Sequence, residues 1–133
     1  MIVRTIDEVG GSPDRDRSGE GWRSLRFLTA GDACGFSLHL TTVDAGAELD
    51  LWYKHHIEAN LCIAGEGTVT DRATGSVHRL APGIMYTLDQ HDRHVVRADT
   101  ELTLVCVFDP ALVGTETHDA DGSYDLPRPG SGE

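Results

Sequence analysis

Apolar and polar positions alternate with a period of two along most of the chain, in short segments that are rich in β-branched residues. Turn residues separate these segments, as at Gly65-Glu66-Gly67 and Pro82-Gly83. Strands are predicted at residues 36–43, 49–53, 60–64 with 68–71, 76–80, 84–88, 94–97 and 101–108. Short strands at this spacing predict an all-β domain, either a sandwich or a jelly-roll barrel, without long helices.

The two ends of the chain lack this alternation. Residues 10–21 are polar and rich in glycine, so we expect a mobile loop there. Trp22 follows directly, and because tryptophan is costly to leave in water, we expect the loop to fold over something. The tail 127–133 has no apolar content and is predicted to be disordered. A single domain is therefore expected at residues 1–126, with short helical or loop segments at its ends.

Length and charge exclude several classes of protein. The 133 residues suffice for one hydrophobic core. Because no apolar run reaches the roughly 18 residues of a membrane helix and the N-terminus lacks a secretory signal, we expect a cytoplasmic protein with no membrane partner. The 22 acidic and 11 basic side chains give a formal net charge of -11, which repels nucleic acid. Cys34, Cys62 and Cys106 form no CxxC pair, so free thiols are expected.

Glycines and one glutamate fall on the spacing of two sequence motifs. The motifs are G-x5-H-x-H-x3-E-x6-G and G-x5-P-x-G-x2-H-x3-N of the cupin superfamily, and the matching residues are Gly46, Glu58, Gly65, Gly75 and Gly83. The chain therefore resembles the cupins, which implies a jelly-roll β-barrel. Three of the four usual metal ligands are changed, since the histidine positions hold Trp52, Lys54 and Tyr86.

An oxygen-rich trio remains at this predicted site. Glu58, Tyr86 and His94 would supply a carboxylate, a phenol and an imidazole, a harder donor set than three histidines and one glutamate. Such a set suits Fe(II), with Mn(II) or Zn(II) as alternatives. Simpler interpretations are a half-buried structural Tyr86 and a surface His94. His55 and His56 are rival ligands, but neighbours on a strand point to opposite faces, so at most one can join Glu58.

Longer segments carry a more specific resemblance, to the ectoine synthase family, over essentially residues 1–126. It rests on MIVRTIDEV at the start, WYKHHIEANLCIAGEGTV at 52–69, PGIMYTLDQHDRHVVRA at 82–98 and LVCVFDPALVGTETHDADGSYDL at 104–126. The resemblance implies a lyase that cyclises N4-acetyl-L-2,4-diaminobutyrate to ectoine, an osmoprotectant, with loss of water. It also implies Fe(II) as the cofactor, with Glu58, Tyr86 and His94 as its ligands.

The same resemblance implies a substrate pocket formed by Trp22, Ser24, Thr41, Tyr53, Cys106, Phe108, Glu116 and His118. Glu116 and His118 are two residues apart and share a face if that segment is extended, so they are the expected acid and base, with Tyr53 as a third candidate. Trp22 and Ser24 are expected to donate hydrogen bonds to the substrate carboxylate. Cys106 and Phe108 are expected to form the pocket wall.

Each of these assignments has an alternative. Trp22 and Phe108 could be ordinary core aromatics, and Glu116 and His118 could belong to a solvated surface loop. A cupin dioxygenase or a non-enzymatic small-molecule-binding cupin are the competing functions. A homodimer is expected by resemblance, because many cupins pair through a barrel face or an edge strand.

Overall fold

Ten short strands form the body of residues 1–126, which are the residues that the computed structural model describes. The predicted disordered tail, 127–133, lies outside the described residues. The strands are β1 (Asp16–Gly19), β2 (Trp22–Leu28), β3 (Ser37–Val43), β4 (Glu48–Leu51), β5 (Ile57–Ala64), β6 (Gly67–Asp71), β7 (Val77–Leu80), β8 (Met85–Leu88), β9 (His94–Ala98) and β10 (Leu102–Asp109). Helix α1 (Ile6–Val9) precedes them, and a 3-10 helix (Ala30–Asp32) follows β2. The all-β prediction is confirmed.

The strands form two antiparallel sheets that share one core. The order is β1-β2-β3-β10-β5-β8 in the larger sheet and β4-β9-β6-β7 in the smaller one. Buried residues from both sheets, such as Cys62 of β5, Val69 of β6 and Val96 of β9, belong to the same apolar cluster. The segment after β10, residues 110–126, has no regular structure and contributes Leu112 and Tyr124 to this cluster. Within residues 1–126, no helix is long and apolar enough to cross a membrane.

The expectation of a mobile loop at residues 10–21 is wrong for its second half. Residues 16–19 form β1, which pairs with β2 as a hairpin whose last partners are Gly19 and Trp22. Gly21 takes a positive φ of 81° at the turn, a conformation that glycine adopts without strain. The sequence pattern also missed β2, because Ser24 and Arg26 are polar residues that the strand buries.

Strand β5 inverts the usual distribution of polarity. Its inward side chains are Glu58, Asn60 and Cys62, all of them buried. Its outward side chains include Leu61 and Ile63, which are 41% and 48% exposed. Because successive side chains alternate between faces, the polar residues lie inside the barrel and the apolar ones outside. A polar barrel interior indicates an internal site, and an apolar exterior indicates a surface that another molecule covers.

Candidate active site

A cavity inside the barrel opens between the two sheets and the irregular C-terminal segment. Its empty volume is about 440 Å³, including the mouth that opens to solvent. The residues that line it are Trp22, Ser24, Thr41, Val43, Leu49, Leu51, Tyr53, Glu58, Asn60, Tyr86, Val96, Leu104, Cys106, Phe108, His118 and Tyr124. Seven of the eight residues expected in the substrate pocket are in this list, and Glu116 is the exception.

Strand register brings the polar side chains of the larger sheet into one row. Cross-strand partners share a face, and the pairings run from Arg26 on β2 through His39, Cys106 and Asn60 to Tyr86 on β8. All five side chains therefore point into the barrel interior. Five strands that are distant in sequence supply one residue each, so antiparallel pairing alone brings them together.

Tyr53 and His118 form a hydrogen-bonded pair at the cavity wall. The Tyr53 hydroxyl lies 2.8 Å from His118 Nε2. Burial, with a further contribution from the Arg26 charge, lowers the pKa of His118 to about 4, and burial raises the pKa of Tyr53 well above its ordinary value. Both groups are therefore neutral at pH 7, and one hydrogen bond joins the phenol to Nε2. The pair holds a proton at Tyr53 Oη.

Aromatic rings enclose this pair. Tyr124 stacks on His118 with ring centroids 4.5 Å apart and on Tyr53 at 5.3 Å. Phe108 meets Tyr53 edge-on at 5.1 Å, and Trp22 lies 4.8 Å from His118. Packing of this kind fixes both rings and keeps bulk water away from them. Trp22 and Phe108 are both buried and both border the cavity, and Phe108 also belongs to the apolar cluster of the core.

Glu58 and Tyr86 project into the cavity from neighbouring strands β5 and β8. Burial raises the pKa of Glu58 to about 8 and the pKa of Tyr86 well above its ordinary value. A buried carboxylate without a cation is costly, so this side chain is suited to a positively charged partner. Among residues 1–126, no three His, Cys, Asp or Glu side chains converge as a metal site, so a cation here would need the Tyr86 phenol.

His94 lies beside the cavity without lining it. Its ring centroid is 5.9 Å from that of Tyr53 and 6.4 Å from that of Tyr86. His94 Nδ1 is 2.9 Å from the Asp92 carbonyl and donates to it, which leaves the lone pair on Nε2. Nε2 is buried and has no partner within the described chain. A carboxylate, a phenol and an unpartnered imidazole nitrogen together fit a hard or borderline divalent metal.

Trp52 and Lys54, at the two histidine positions of the first cupin motif, form structural contacts. Trp52 donates from its indole nitrogen to the carbonyl of His91, 2.9 Å away. The Lys54 ammonium lies 4.6 Å from the Trp52 ring and forms an ion pair with Asp121. Neither side chain lines the cavity. Of the rival ligands, His55 is exposed, and His56 is buried with neither ring nitrogen hydrogen-bonded within residues 1–126.

Glu116 does not line the cavity, although the sequence analysis expects it in the substrate pocket. Its two carboxylate oxygens accept hydrogen bonds from the backbone nitrogens of Val113 and Gly114, at 2.7 and 2.8 Å. One of them also lies 3.7 Å from the buried guanidinium of Arg26. The segment has no regular structure, and Glu116 holds the turn at Val113 and Gly114 instead of lining the cavity.

Arg26 and His39 are two buried polar residues near the cavity that the sequence analysis missed. Arg26 is fully buried and donates to the carbonyl oxygens of Gly114 and Glu116 at 3.0 and 2.7 Å. Its guanidinium also contacts Tyr124, through the hydroxyl at 3.3 Å. Arg26 thus fastens the C-terminal segment, which carries His118, to the sheet. The available signal was the spacing of Arg26 two residues beyond Ser24, which places both on one face of a strand.

Comparison with known proteins shows the family of this chain. The sequence profile of the family described as ectoine synthase matches residues 1–128. The L-ectoine synthase of Desulfosudis oleivorans is 53% identical over 127 residues, which are 95% of this chain and 98% of that protein. The L-ectoine synthase of Oceanobacillus iheyensis is 52% identical over 126 residues, with the same coverage of 95% and 98%.

Solved structures agree as well. The crystal structure of ectoine synthase from P. lautus matches with a TM-score of 0.85 and 43% identity, covering 92% of this chain and 87% of that one. A Cupin 2 conserved barrel domain protein from Salinispora arenicola has a TM-score of 0.64 at 18% identity, over 81% and 87% of the two chains, and shows the fold alone. The predicted cupin fold is confirmed. The chain belongs to the ectoine synthase family, a family of enzymes that act on a small molecule.

Proposed function

We propose that this protein is a cytoplasmic L-ectoine synthase, a hydro-lyase that cyclises N4-acetyl-L-2,4-diaminobutyrate to the osmoprotectant ectoine with loss of water. The observation that carries the proposal is the neutral Tyr53–His118 pair in the wall of a largely apolar cavity. Family membership supplies the substrate class, since the relatives are named for ectoine.

Proton balance explains why such a pair suits this reaction. The substrate amine enters as an ammonium, must lose one proton before its nitrogen can attack the acetamide carbon, and keeps one of its three protons in the product. The two protons that it loses leave with the carbonyl oxygen as water, so protons must move from nitrogen to oxygen inside the site. Tyr53 Oη can give a proton and His118 Nε2 can receive one, with 2.8 Å between them. Tyr53 and His118 are therefore the proposed acid and base.

Glu116 is proposed to act indirectly. Both of its oxygens hold the turn at Val113 and Gly114, and the Arg26 guanidinium holds the Glu116 backbone carbonyl. His118 follows two residues later, so this turn fixes the position from which the imidazole reaches Tyr53.

The remaining cavity residues orient the substrate and exclude water. Ser24 and Thr41 are cross-strand partners at one end of the cavity, beside Trp22, and are proposed to bind the substrate carboxylate. Phe108, Cys106 and the leucines and valines of the wall keep bulk water out. Water exclusion strengthens the electrostatic interactions inside the cavity and protects a reactive intermediate from hydrolysis.

Fe(II) is the proposed cofactor, held by Glu58, Tyr86 and His94. The unpartnered Nε2 of His94 and the buried Glu58 carboxyl support this set. When bound, Fe(II) supplies Lewis-acid polarisation of an amide carbonyl. The carboxyl and the phenol must be deprotonated to bind a metal, so the proposed site binds metal more tightly as pH rises.

The test is anaerobic purification with Fe(II), incubation with N4-acetyl-2,4-diaminobutyrate, and proton NMR with and without a chelator. The expected result is the methyl signal of the ring amidine, lost when the chelator is present. An oxygen electrode run in parallel is expected to show no consumption of O2, since cyclisation uses none. Unchanged substrate with folded, iron-loaded protein would contradict the proposal, and consumption of O2 would favour a dioxygenase.

A homodimer is proposed as well, through the outer face of strands β5 and β8. Leu61 and Met85 are cross-strand partners and are 41% and 59% exposed, and Ile57 and Ile63 extend this apolar surface along β5. Strand β8 is also an edge of the larger sheet. Light scattering is expected to give twice the mass of one chain, and a monomer at micromolar concentration would contradict this proposal.

A further inference from the structure

A chain of buried hydrogen bonds runs from the C-terminal segment to the cavity wall. The backbone nitrogen of Leu112 is 3.0 Å from Ser37 Oγ, which is 2.9 Å from His39 Nε2. On the other side of the ring, His39 Nδ1 is 3.1 Å from Ser24 Oγ. Ser37, His39 and Ser24 are all buried, and of the three only Ser24 borders the cavity.

The direction of each hydrogen bond follows from counting donors. Leu112 N–H can only donate, so Ser37 Oγ accepts from it. Within residues 1–126, the only other partner of Ser37 Oγ is His39 Nε2, so the Ser37 hydroxyl proton has no other acceptor. A buried hydroxyl without an acceptor is costly. Ser37 therefore donates to His39 Nε2.

The hydrogen bond from Ser37 determines which ring nitrogen of His39 carries the proton, and so which atom donates to Ser24. Burial, together with the nearby charge of Arg26, lowers the pKa of His39 well below its ordinary value, so the ring is neutral. With Nε2 accepting, the single ring proton is on Nδ1, which donates to Ser24 Oγ. Arg26 Nε, 3.4 Å away, also donates to Ser24 Oγ. Both protein partners of Ser24 in the described chain are donors, and its own hydroxyl proton is left for the cavity.

We infer that His39 is a positioning residue that makes Ser24 an obligatory hydrogen-bond donor to a substrate carboxylate oxygen. This inference rests on the proposed function for the identity of the substrate. An ammonium would meet no acceptor at Ser24, whereas a carboxylate meets an oriented O–H with a buried guanidinium behind it. The site thereby distinguishes the acid end of the substrate from its amine.

Two substitutions of His39 separate this role from simple packing. In His39→Asn the side-chain nitrogen can take the place of Nδ1 and keep donating to Ser24. In His39→Gln the nitrogen reaches the place of Nε2 near Ser37, and the bond to Ser24 is lost. We expect H39Q and Ser24→Ala each to raise KM for N4-acetyl-2,4-diaminobutyrate about tenfold or more with kcat little changed, because a donor to a fixed carboxylate binds ground and transition states alike.

The conservative variant and the double variant complete the test. H39N is expected to stay within about threefold of the wild-type KM, and S24A/H39Q is expected to match S24A alone, since both changes remove one bond. Equal defects in H39N and H39Q, or multiplied losses in the double variant, would overturn the inference.

The tautomer of His39 can be measured without any substitution or substrate. In nitrogen-15 NMR of the wild-type protein, the His39 ring is expected to show a protonated Nδ1 and an unprotonated Nε2. The opposite tautomer would overturn the inference even if the variants fail to fold. A wild-type protein that shows this tautomer but does not convert the substrate would instead contradict the proposed function.

Discussion

Several buried polar residues of the site reduce the stability of the folded chain. Glu58 is buried without a cation among residues 1–126, and burial raises its pKa to about 8. His56, Asn60 and His94 each bury a side-chain nitrogen with no partner in the same range. Buried polar groups of this kind destabilise a folded chain, so their concentration on the inward faces indicates that function maintains them.

Glu58→Gln tests this directly, because it removes the charge and keeps the shape. The variant is expected to lose bound iron and at least about 99% of turnover, since one anionic ligand is gone. The metal-free variant is expected to be more stable than metal-free wild type by about 1–3 kcal/mol at pH 7, because burial forces the Glu58 carboxyl to take up a proton on folding and an amide carries no such cost. Iron analysis and urea unfolding of the metal-free proteins measure the two effects.

The matched control is Glu66→Gln, at a side chain that is 60% exposed and pairs only with Arg79 on the surface. It is expected to change neither iron content nor activity. Wild-type iron content in E58Q would contradict the ligand assignment.

Tyr53→Phe tests the proton held at Tyr53 Oη. The change removes the hydrogen-bond partner of His118 Nε2 and leaves the ring stack in place, so kcat is expected to fall about 100-fold or more with a small change in KM. Tyr124→Phe is the matched control, because its hydroxyl bonds to Arg26 and not to His118. Y124F is expected to lose much less of kcat in steady-state kinetics. Equal losses in both variants would mean that the Tyr53 hydroxyl has no particular role in proton transfer.

The sequence predicts the site residues that fall on a motif spacing, and it misses those whose burial depends on tertiary contacts. Glu58 and Tyr86 were placed in the site by spacing between glycines, and both border the cavity. The local pattern does not show that Arg26 and His39 are buried, because they bond to partners distant in sequence, Glu116 at 90 residues from Arg26 and Ser24 at 15 residues from His39. Glu116 is predicted beside His118 only if the segment is extended, whereas the structure uses its carboxylate to hold the backbone of Val113 and Gly114.

Some strands of the fold are predicted by their own residue pattern, whereas others form only through contacts with the rest of the chain. Strands β3 and β10 are continuous runs of alternating or β-branched residues, and the predicted bounds agree with the structure to within one residue at each end. Strand β1 has no apolar side chain, and β2 interrupts its apolar residues with Arg23, Ser24 and Arg26. The two pair as a hairpin whose last partners are Gly19 and Trp22. Such a strand forms by tertiary contact and not by propensity, so a pattern of residues does not find it.

The N-terminal elements are fastened by an ionic cluster around Asp32 at the end of the 3-10 helix. Its carboxylate accepts hydrogen bonds from Arg4 at 2.8 Å, from the backbone nitrogen of Thr29 at 2.9 Å and from Arg15 at 3.3 Å. Burial by itself would raise the pKa of Asp32, but these bonds outweigh it and lower the pKa to about 2. The lowered pKa means that folding favours the charged form.

Asp32→Asn is therefore expected to reduce stability in a pH-dependent way. Because the folded pKa is about 2 and the unfolded one about 4, the stabilisation is present at pH 7 and is lost as pH falls from about 4 to about 2. The difference between wild type and D32N is expected to be about 2 kcal/mol at pH 7 and to approach zero near pH 2, as measured by urea unfolding.

Asp50→Asn is the control for D32N. Asp50 also pairs with two arginines, Arg72 and Arg93, but its side chain is 45% exposed. Exposed ion pairs contribute little, so D50N is expected to have a much smaller effect. A constant deficit of D32N across the pH range would point to lost packing instead of charge.

The whole molecule combines strong negative charge with an apolar outer face. Each chain carries a formal net charge of -11, so two copies repel each other at long range. The outer face of β5 and β8, with Leu61 and Met85 at its centre, offers the opposing attraction. Whether the proposed dimer forms is thus a balance between a screened repulsion and a hydrophobic contact.

That balance predicts a dimer that tightens with salt. The Debye length shrinks from about 30 Å at 0.01 M to about 8 Å at 0.15 M, so repulsion between acidic chains weakens while the apolar contact does not. Leu61→Asp is expected to give monomers at all salt concentrations, because it places a charge in the contact. Val77→Asp, at an apolar residue that is 62% exposed on the other sheet, is the matched control and is expected to remain dimeric.

Analytical ultracentrifugation of wild type, L61D and V77D from 0.01 to 0.5 M salt measures the dimer fraction. Dissociation by V77D but not by L61D would place the interface on the smaller sheet, and a wild-type dimer that weakens with salt would show that ion pairs hold it together.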